Sequence, residues 1–228
     1  MFISTDAIVL KNTLYKESSI ISRLFTRESG KISTIFKGAK KNKSNISGII
    51  EPGNIINITF YNKSNLKIAK ETKLIQTYYS SRKILIHYYY TMAIISLIDK
   101  LCMEHEQYTI LYDLSVNILE KMDEQKIDIE ILFIYFLLHL NKQIGYELNI
   151  INSKKSDNTD ITDFFNQLNN SIDILYHMDM DIIQKIDLIN KLKIIIYRHM
   201  KHHVIDLNDV HAINTLKDIK NERNSRSN

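Results

Sequence analysis

The feature that most constrains this chain is a change of hydrophobic period near residue 80. Before that point apolar residues sit in short stretches rich in isoleucine, threonine and aromatics; after it they recur at three- and four-residue spacing. Five β-prone stretches precede residue 78, at about Thr5–Lys11, Ser18–Thr26, Lys31–Lys37, Asn54–Tyr61 and Leu66–Ile75. Arg27-Glu28-Ser29-Gly30 supplies a turn between the second and third, and Asn62-Lys63-Ser64-Asn65 one between the fourth and fifth. In the third stretch Ile32, Thr34 and Phe36 share one face, while Lys31, Ser33, Ile35 and Lys37 share the other.

A single sheet of strands this short has no partner for its apolar face and leaves two edges open. Closing it into a small barrel removes both difficulties. Five strands in under 80 residues match the oligonucleotide-binding (OB) barrel in size and strand number. An SH3-like barrel is the rival, and strand order and spacing do not separate the two.

The remainder reads as helices at about Arg82–Glu104, Tyr108–Met122, Asp128–Ile144, Met180–His203 and Asp209–Ile219, with a short one through Phe165 and Leu168 started by Asp160 or Thr162. Ile131, Leu132, Ile134, Tyr135 and Leu138 make the third of these apolar on nearly all sides, which predicts a central position, and Gly145 fits its end. Asn149–Thr159 is polar and predicts a surface loop, and Asn221–Asn228 a frayed end. The expected organisation is a five-stranded antiparallel OB barrel at 1–79, followed by an all-helical domain at 80–228.

Charge divides the chain at nearly the same place. Residues 1–83 hold fifteen Lys and Arg against five acids, a formal +10, whereas residues 84–228 hold fifteen against twenty-one, a formal −6. A basic surface draws polyanions in fast, salt-sensitive association. The densest run is Lys37-Gly38-Ala39-Lys40-Lys41-Asn42-Lys43. Such a loop suits phosphate, which needs charge but little fixed geometry. Arg23, Lys31 and Lys37 on neighbouring strands and Arg27 at the hairpin tip extend the expected patch. Of the local aromatics, Phe25 and Phe36 follow the core pattern, and Tyr61 is the candidate platform for a stacked base. The expected DNA-binding set is therefore Arg23, Arg27, Lys31, Lys37, Lys40, Lys41, Lys43 and Tyr61. Against it stands a plain solvated loop in a lysine-rich protein.

Other chemistries find little support. Cys102 is the only cysteine, so an internal disulfide and a cysteine-rich zinc site are excluded, and a reducing, cytosolic compartment fits. Met1-Phe2-Ile3-Ser4-Thr5-Asp6 has no secretory signal pattern, and the longest apolar run, Ile131–Leu138, is far short of the roughly 20 residues of a membrane span. His199 and His203 share a helical face, with His202 and His211 nearby, but Met200 stands where a zinc hydrolase needs glutamate. Cys102 and His105 lack the rest of a thiol site. Asp157, Asp160 and Asp163, or Asp179 and Asp181, fit helix starts better than a nuclease centre. No glycine-rich phosphate loop of the GxxxxGK[ST] type occurs. No enzyme, metal or cofactor is expected.

The run Ala7–Ser44 resembles the start of the RecO family of bacterial DNA repair and recombination mediators. The resemblance is carried by Ala7–Lys11 (AIVLK), Tyr15-Lys16-Glu17-Ser18, Leu24–Lys31 (LFTRESGK) and Lys37–Ser44 (KGAKKNKS), followed by Glu51-Pro52-Gly53 before the fourth strand. Phe133–Leu148 is similar to the family's central helix, and Ile196–Val204 to a late one. Many members carry a four-cysteine zinc module after the central helix; Ile151–Phe165 has no cysteine, so a polar loop at about 149–160 is expected in its place. The resemblance implies an OB barrel and a helical domain. It also implies binding of single- and double-stranded DNA and annealing of complementary strands. With RecR, such proteins help place RecA on strands coated by single-stranded DNA-binding protein, whose acidic tail they contact. A cytoplasmic, nucleoid-associated bacterial protein is implied. The alternatives are a protein-binding adaptor with the barrel as docking platform and, less favoured, a metal-dependent nuclease.

Overall fold

Alternation of apolar and polar positions gives each strand an inner and an outer face, and the barrel follows from pairing them. In the computed structural model, which describes residues 1–41, 44–62, 64–149, 159–170 and 182–226, the strands are β1 (Phe2–Tyr15), β2 (Ser19–Thr26), β3 (Gly30–Phe36), β4 (Ile55–Tyr61) and β5 (Leu66–Gln76). They close in the order β1-β2-β3-β5-β4. Every pairing is antiparallel except β3 with β5, which is parallel through Ser33–Ile35 and Leu66–Ile68. The antiparallel OB barrel expected from the sequence is present, with that one parallel seam closing it. Ala7, Val9, Ile20, Leu24, Ile32, Phe36, Ile56, Ile58 and Phe60 fill the inside.

β1 is longer than its apolar pattern suggested. Its first half pairs with β4 (Phe2↔Tyr61 to Ile8↔Ile55) and its second half with β2, so one strand serves two neighbours in turn. Leu10 faces out of the barrel by alternation with Ala7 and Val9, and the bulge between Val9 and Lys11 then sets Lys11 opposite Arg23 on the outer face. A short helix, α1 (Ile46–Ile49), follows the lysine loop, which the sequence reading did not anticipate. Ile46 and Ile49 pack on the barrel core, and buried Asn54 donates to the carbonyls of Gly48 and Ile49 at 3.1 and 2.9 Å.

The described helices are α2 (Tyr79–Lys83), α3 (Leu85–Leu101), α4 (Thr109–Glu124), α5 (Ile129–Gln143), α6 (Thr159–Asn170), α7 (Ile182–His203) and α8 (His211–Arg226). The single helix expected at Arg82–Glu104 is broken at Ile84, whose backbone is extended. Arg82 reaches back to the barrel, pairing with Glu51 and donating to Asn54 Oδ1 at 2.6 Å, which ties α2 to the barrel. Asp128 caps α5 by accepting from the amides of Glu130 and Ile131. α5 is central as expected, with Ile131 through Leu138 all buried. α8 continues to Arg226 instead of fraying near Ile219. Nearly all of the polar loop expected at 149–160 lies outside the described residues.

The barrel is held to the helices by its own outer wall. Ile8, Leu10, Phe25 and Ile55 point outward and join the helical core. The Phe25 ring lies 6.3 and 6.0 Å from those of Tyr108 and Tyr112. Burying such a side chain is worth roughly 1.5–3 kcal/mol. Contact is closest at Gly30, where φ is +64° and a Cβ would sit 1.8 Å from the carbonyl oxygen of Glu106. Only glycine fits both the left-handed backbone and that approach. Gly30→Ala is therefore expected to lose at least about 1–3 kcal/mol from backbone strain alone. A lowered urea midpoint checks this, and an unchanged midpoint contradicts the close docking.

Candidate nucleic-acid interface

The β1–β2 turn and the loop after β3 face each other across the end of the barrel. Lys16, at φ 51°, and Gly38, at φ 71°, allow the two tight turns. The amide of Lys40 donates to the carbonyl of Ser18 at 3.1 Å and that of Lys41 to Gly38 at 3.1 Å, so the loops are tied together. Between them lies an open groove of about 410 Å³, lined by Tyr15, Lys16, Ser18, Ser19, Ile35, Lys37, Gly38 and Lys41. Ile35 forms its apolar floor. Lys37, Lys40 and Lys41 are exposed, and among the described residues none of their ammonium groups is ion-paired. The Lys16 ammonium lies 5.4 Å from the centre of the Tyr15 ring. Glu17 is the one acid in the β1–β2 turn.

The structure divides the expected DNA-binding residues into two groups. Lys37 and Lys41 line the groove, and Lys40 is beside them in the loop, its amide bonded to Ser18. Tyr61 is exposed at the end of β4, its ring 5.2 Å from that of Phe2. Lys43 lies outside the described residues. Arg23, Arg27 and Lys31 lie instead on the wall of the barrel that docks on the helices. Arg23 pairs with Asp99 at 2.6 Å. Arg27 forms a two-pronged pair with Asp113 at 2.8 and 2.9 Å. Lys31 is only 7% exposed and donates to the backbone carbonyl of Asp99 at 2.6 Å. Alternation along β2 and β3 put these cations on the outer wall correctly. It carried no information that an acidic helical domain covers that part of the wall.

Tyr15 and Lys16 were missed as site residues. The turn after β1 was available as a signal, since Lys16-Glu17-Ser18 must bring β1 back against β2 beside the third strand's end. Of the alternative sites, Cys102 is buried in the helical core, and burial pushes its thiol up to about 12 although Lys31 acts in the opposite direction. It is poorly placed to act as a thiolate. His199 has its Nε2 2.9 Å from the carbonyl of Tyr146 and its ring 4.8 Å from that of His203. Among the described residues no three His, Cys, Asp or Glu side chains converge as metal ligands, and no helix is long and apolar enough to cross a membrane.

Lys31→Met tests the division of cations. Leaving the Asp99 carbonyl without its donor is expected to cost about 1–3 kcal/mol in thermal or urea unfolding. The folded variant should keep its nucleic-acid affinity and salt dependence. A flattened salt dependence would return Lys31 to the ligand-binding surface.

Comparison with known proteins agrees with both halves of this architecture. Residues 1–78 match the family described as Recombination protein O N terminal, and residues 82–174 match Recombination protein O C terminal. The chain is 31% identical over 149 residues to a DNA repair protein RecO of Chlorobium limicola, covering 64% of this chain and 57% of that protein. It is 32% identical over 119 residues to a DNA repair protein RecO of Listeria monocytogenes, covering 52% of this chain and 47% of that one. The matched regions thus span about half the length of these curated relatives.

Proposed function

The chain belongs to the RecO family, and from that membership and the lysine groove we propose that it is a non-catalytic mediator of DNA repair and recombination that holds DNA on its barrel. The observation that carries this is the exposed Lys37, Lys40 and Lys41, which have no ion-pair partner among the described residues and stand in the loop whose backbone hydrogen bonds fix the groove lined by Lys37 and Lys41. Cations that already have carboxylate partners gain little from phosphate; these three have none among the described residues. Their contact with a backbone releases condensed counterions, which drives binding regardless of base sequence. Annealing follows from the same physics. Two strands repel through their phosphates, and a surface that neutralises part of each backbone lowers that barrier with no nucleotide hydrolysis. In this proposal the barrel binds single- and double-stranded DNA and anneals complementary strands. With RecR, and through the tail of the single-stranded DNA-binding protein, it assists RecA loading on coated strands. The helical domain positions the barrel and meets these partners.

The test replaces Lys37, Lys40 and Lys41 together with glutamate. Each lost phosphate contact is expected to flatten the slope of log affinity against log salt by about 0.7–0.9. Affinity should fall for every sequence and annealing should slow, with folding retained. A folded triple variant with unchanged affinity and slope contradicts the assignment and favours a protein-binding adaptor. Cleavage that appears only with added magnesium would favour a nuclease.

A further inference from the structure

The end of α7 carries a histidine pair that the proposed DNA binding does not use. His199 and His203 are four residues apart on the helix, so they lie one turn apart and about 40° from each other around its axis. Their ring centres are 4.8 Å apart. His203 is exposed and His199 half-buried, so solvent reaches the pair. The Nε2 atom of His199 is 2.9 Å from the backbone carbonyl of Tyr146, in the segment after α5. A carbonyl only accepts, so that nitrogen carries the ring proton. The lone pair of the neutral ring is then left at Nδ1.

We propose that His199 and His203 together bind one divalent transition-metal ion. Three observations point to it. First, side chains four apart on a helix are surface neighbours, and this spacing is the one by which a helix presents two histidines to a metal. Second, the separation fits. A metal–nitrogen bond is about 2.0–2.1 Å and a ring centre lies about 1.1 Å behind its nitrogen, so two rings on one ion have centres about 4.5 Å apart at a right angle and about 5.2 Å apart at the tetrahedral angle. The observed 4.8 Å falls between these values, so chelation requires little movement. Third, a metal-binding histidine commonly donates its other ring N–H to a carbonyl, which fixes the tautomer and the ring's orientation. His199 already makes that bond with Tyr146.

The donor set selects the class of ion. Imidazole nitrogens suit copper, nickel and zinc, whereas magnesium and calcium require oxygen ligands. Among the described residues no third His, Cys, Asp or Glu joins the pair, so water completes the coordination and the ion exchanges readily. Met200 follows His199 where a hydrolytic site needs glutamate, so the pair holds an ion without a general base beside it. The neighbouring cations leave room for the ion. Lys201 lies about 200° around the helix from His199 and pairs with Asp206 at 3.1 Å. Arg198 lies about 100° around the helix from His199. Lys142, at the end of α5, pairs with Glu147 at 3.0 Å. Because His199 also holds the Tyr146 carbonyl, a bound ion fastens the segment after α5 to the end of α7. The proposal is independent of the lysine groove, since neither histidine belongs to the barrel.

Calorimetric titration of the full chain, free of any histidine tag, with Ni²⁺, Cu²⁺ and Mg²⁺ tests this. One nickel ion per chain is expected at micromolar concentration, with copper tighter and magnesium not bound. His203 is exposed, so His203→Ala should keep the metal-free unfolding midpoint. It should weaken nickel binding at least about tenfold, a loss typical even of an outer-shell partner. His202→Ala changes the adjacent exposed histidine, which lies about 100° around the helix from His203, and should bind nickel as the unaltered protein does. Saturating nickel should raise the unfolding midpoint of the unaltered protein and of His202→Ala, but not that of His203→Ala. Nickel binding that survives His203→Ala unchanged places the ion at others of the eight histidines and overturns the proposal. Equal losses in His202→Ala and His203→Ala, or nickel binding only at millimolar concentration, overturn it as well.

Discussion

The contact of the β2–β3 hairpin with the helices determines which part of the barrel is left for a ligand. Gly30 allows the hairpin to come against the backbone of Glu106, and Phe25 enters between Tyr108 and Tyr112. Once those groups are in place, Arg23, Arg27 and Lys31 fall beside Asp99 and Asp113. Lys31 is the member buried deepest, and it answers a backbone carbonyl that would otherwise be left without a donor. The pairs of Arg23 and Arg27 are at or near the surface, where such contacts set orientation more than stability. The opposite charges of the two halves of the chain thus have a structural use at this seam.

Charge that is spent on docking is not available for phosphate. At the end where the β1–β2 turn meets the loop after β3, Lys16, Lys37, Lys40 and Lys41 gather with no ion pair among the described residues. The hydrogen bond from Lys40 to Ser18 matters here because it joins two loops that would each be adaptable alone. The lysine side chains stay adaptable while their backbone is anchored, which suits a ligand with a regular charge spacing and a variable sequence.

Much of the fold was legible in the sequence, and the reasons differ by element. The strands β2 to β5 were found within a few residues because two-residue alternation and turn chemistry bound them tightly. β1 was cut short, since its ends alternate weakly and are ordered by pairing with two different strands. The break at Ile84 was invisible because Arg82 makes its contacts with residues some thirty positions earlier. The same limit governs the site. The lysine loop was legible as local charge density. That Arg23, Arg27 and Lys31 would be taken up by the helices depended on tertiary partners that no local pattern encodes. Tyr61 was recognised as exposed, but its alignment with Phe2 and Ile68 required the register.

The central claim is that the groove end of the barrel, and not the docked wall or the helices, meets the phosphate backbone. Lysine-modification footprinting of the unaltered protein, with and without an oligonucleotide, tests it without disturbing the fold. DNA should protect Lys16, Lys37, Lys40 and Lys41 while leaving Lys126, Lys142 and Lys201 of the helical domain as reactive as before. Protection of the helical lysines with the groove lysines unchanged would contradict the account.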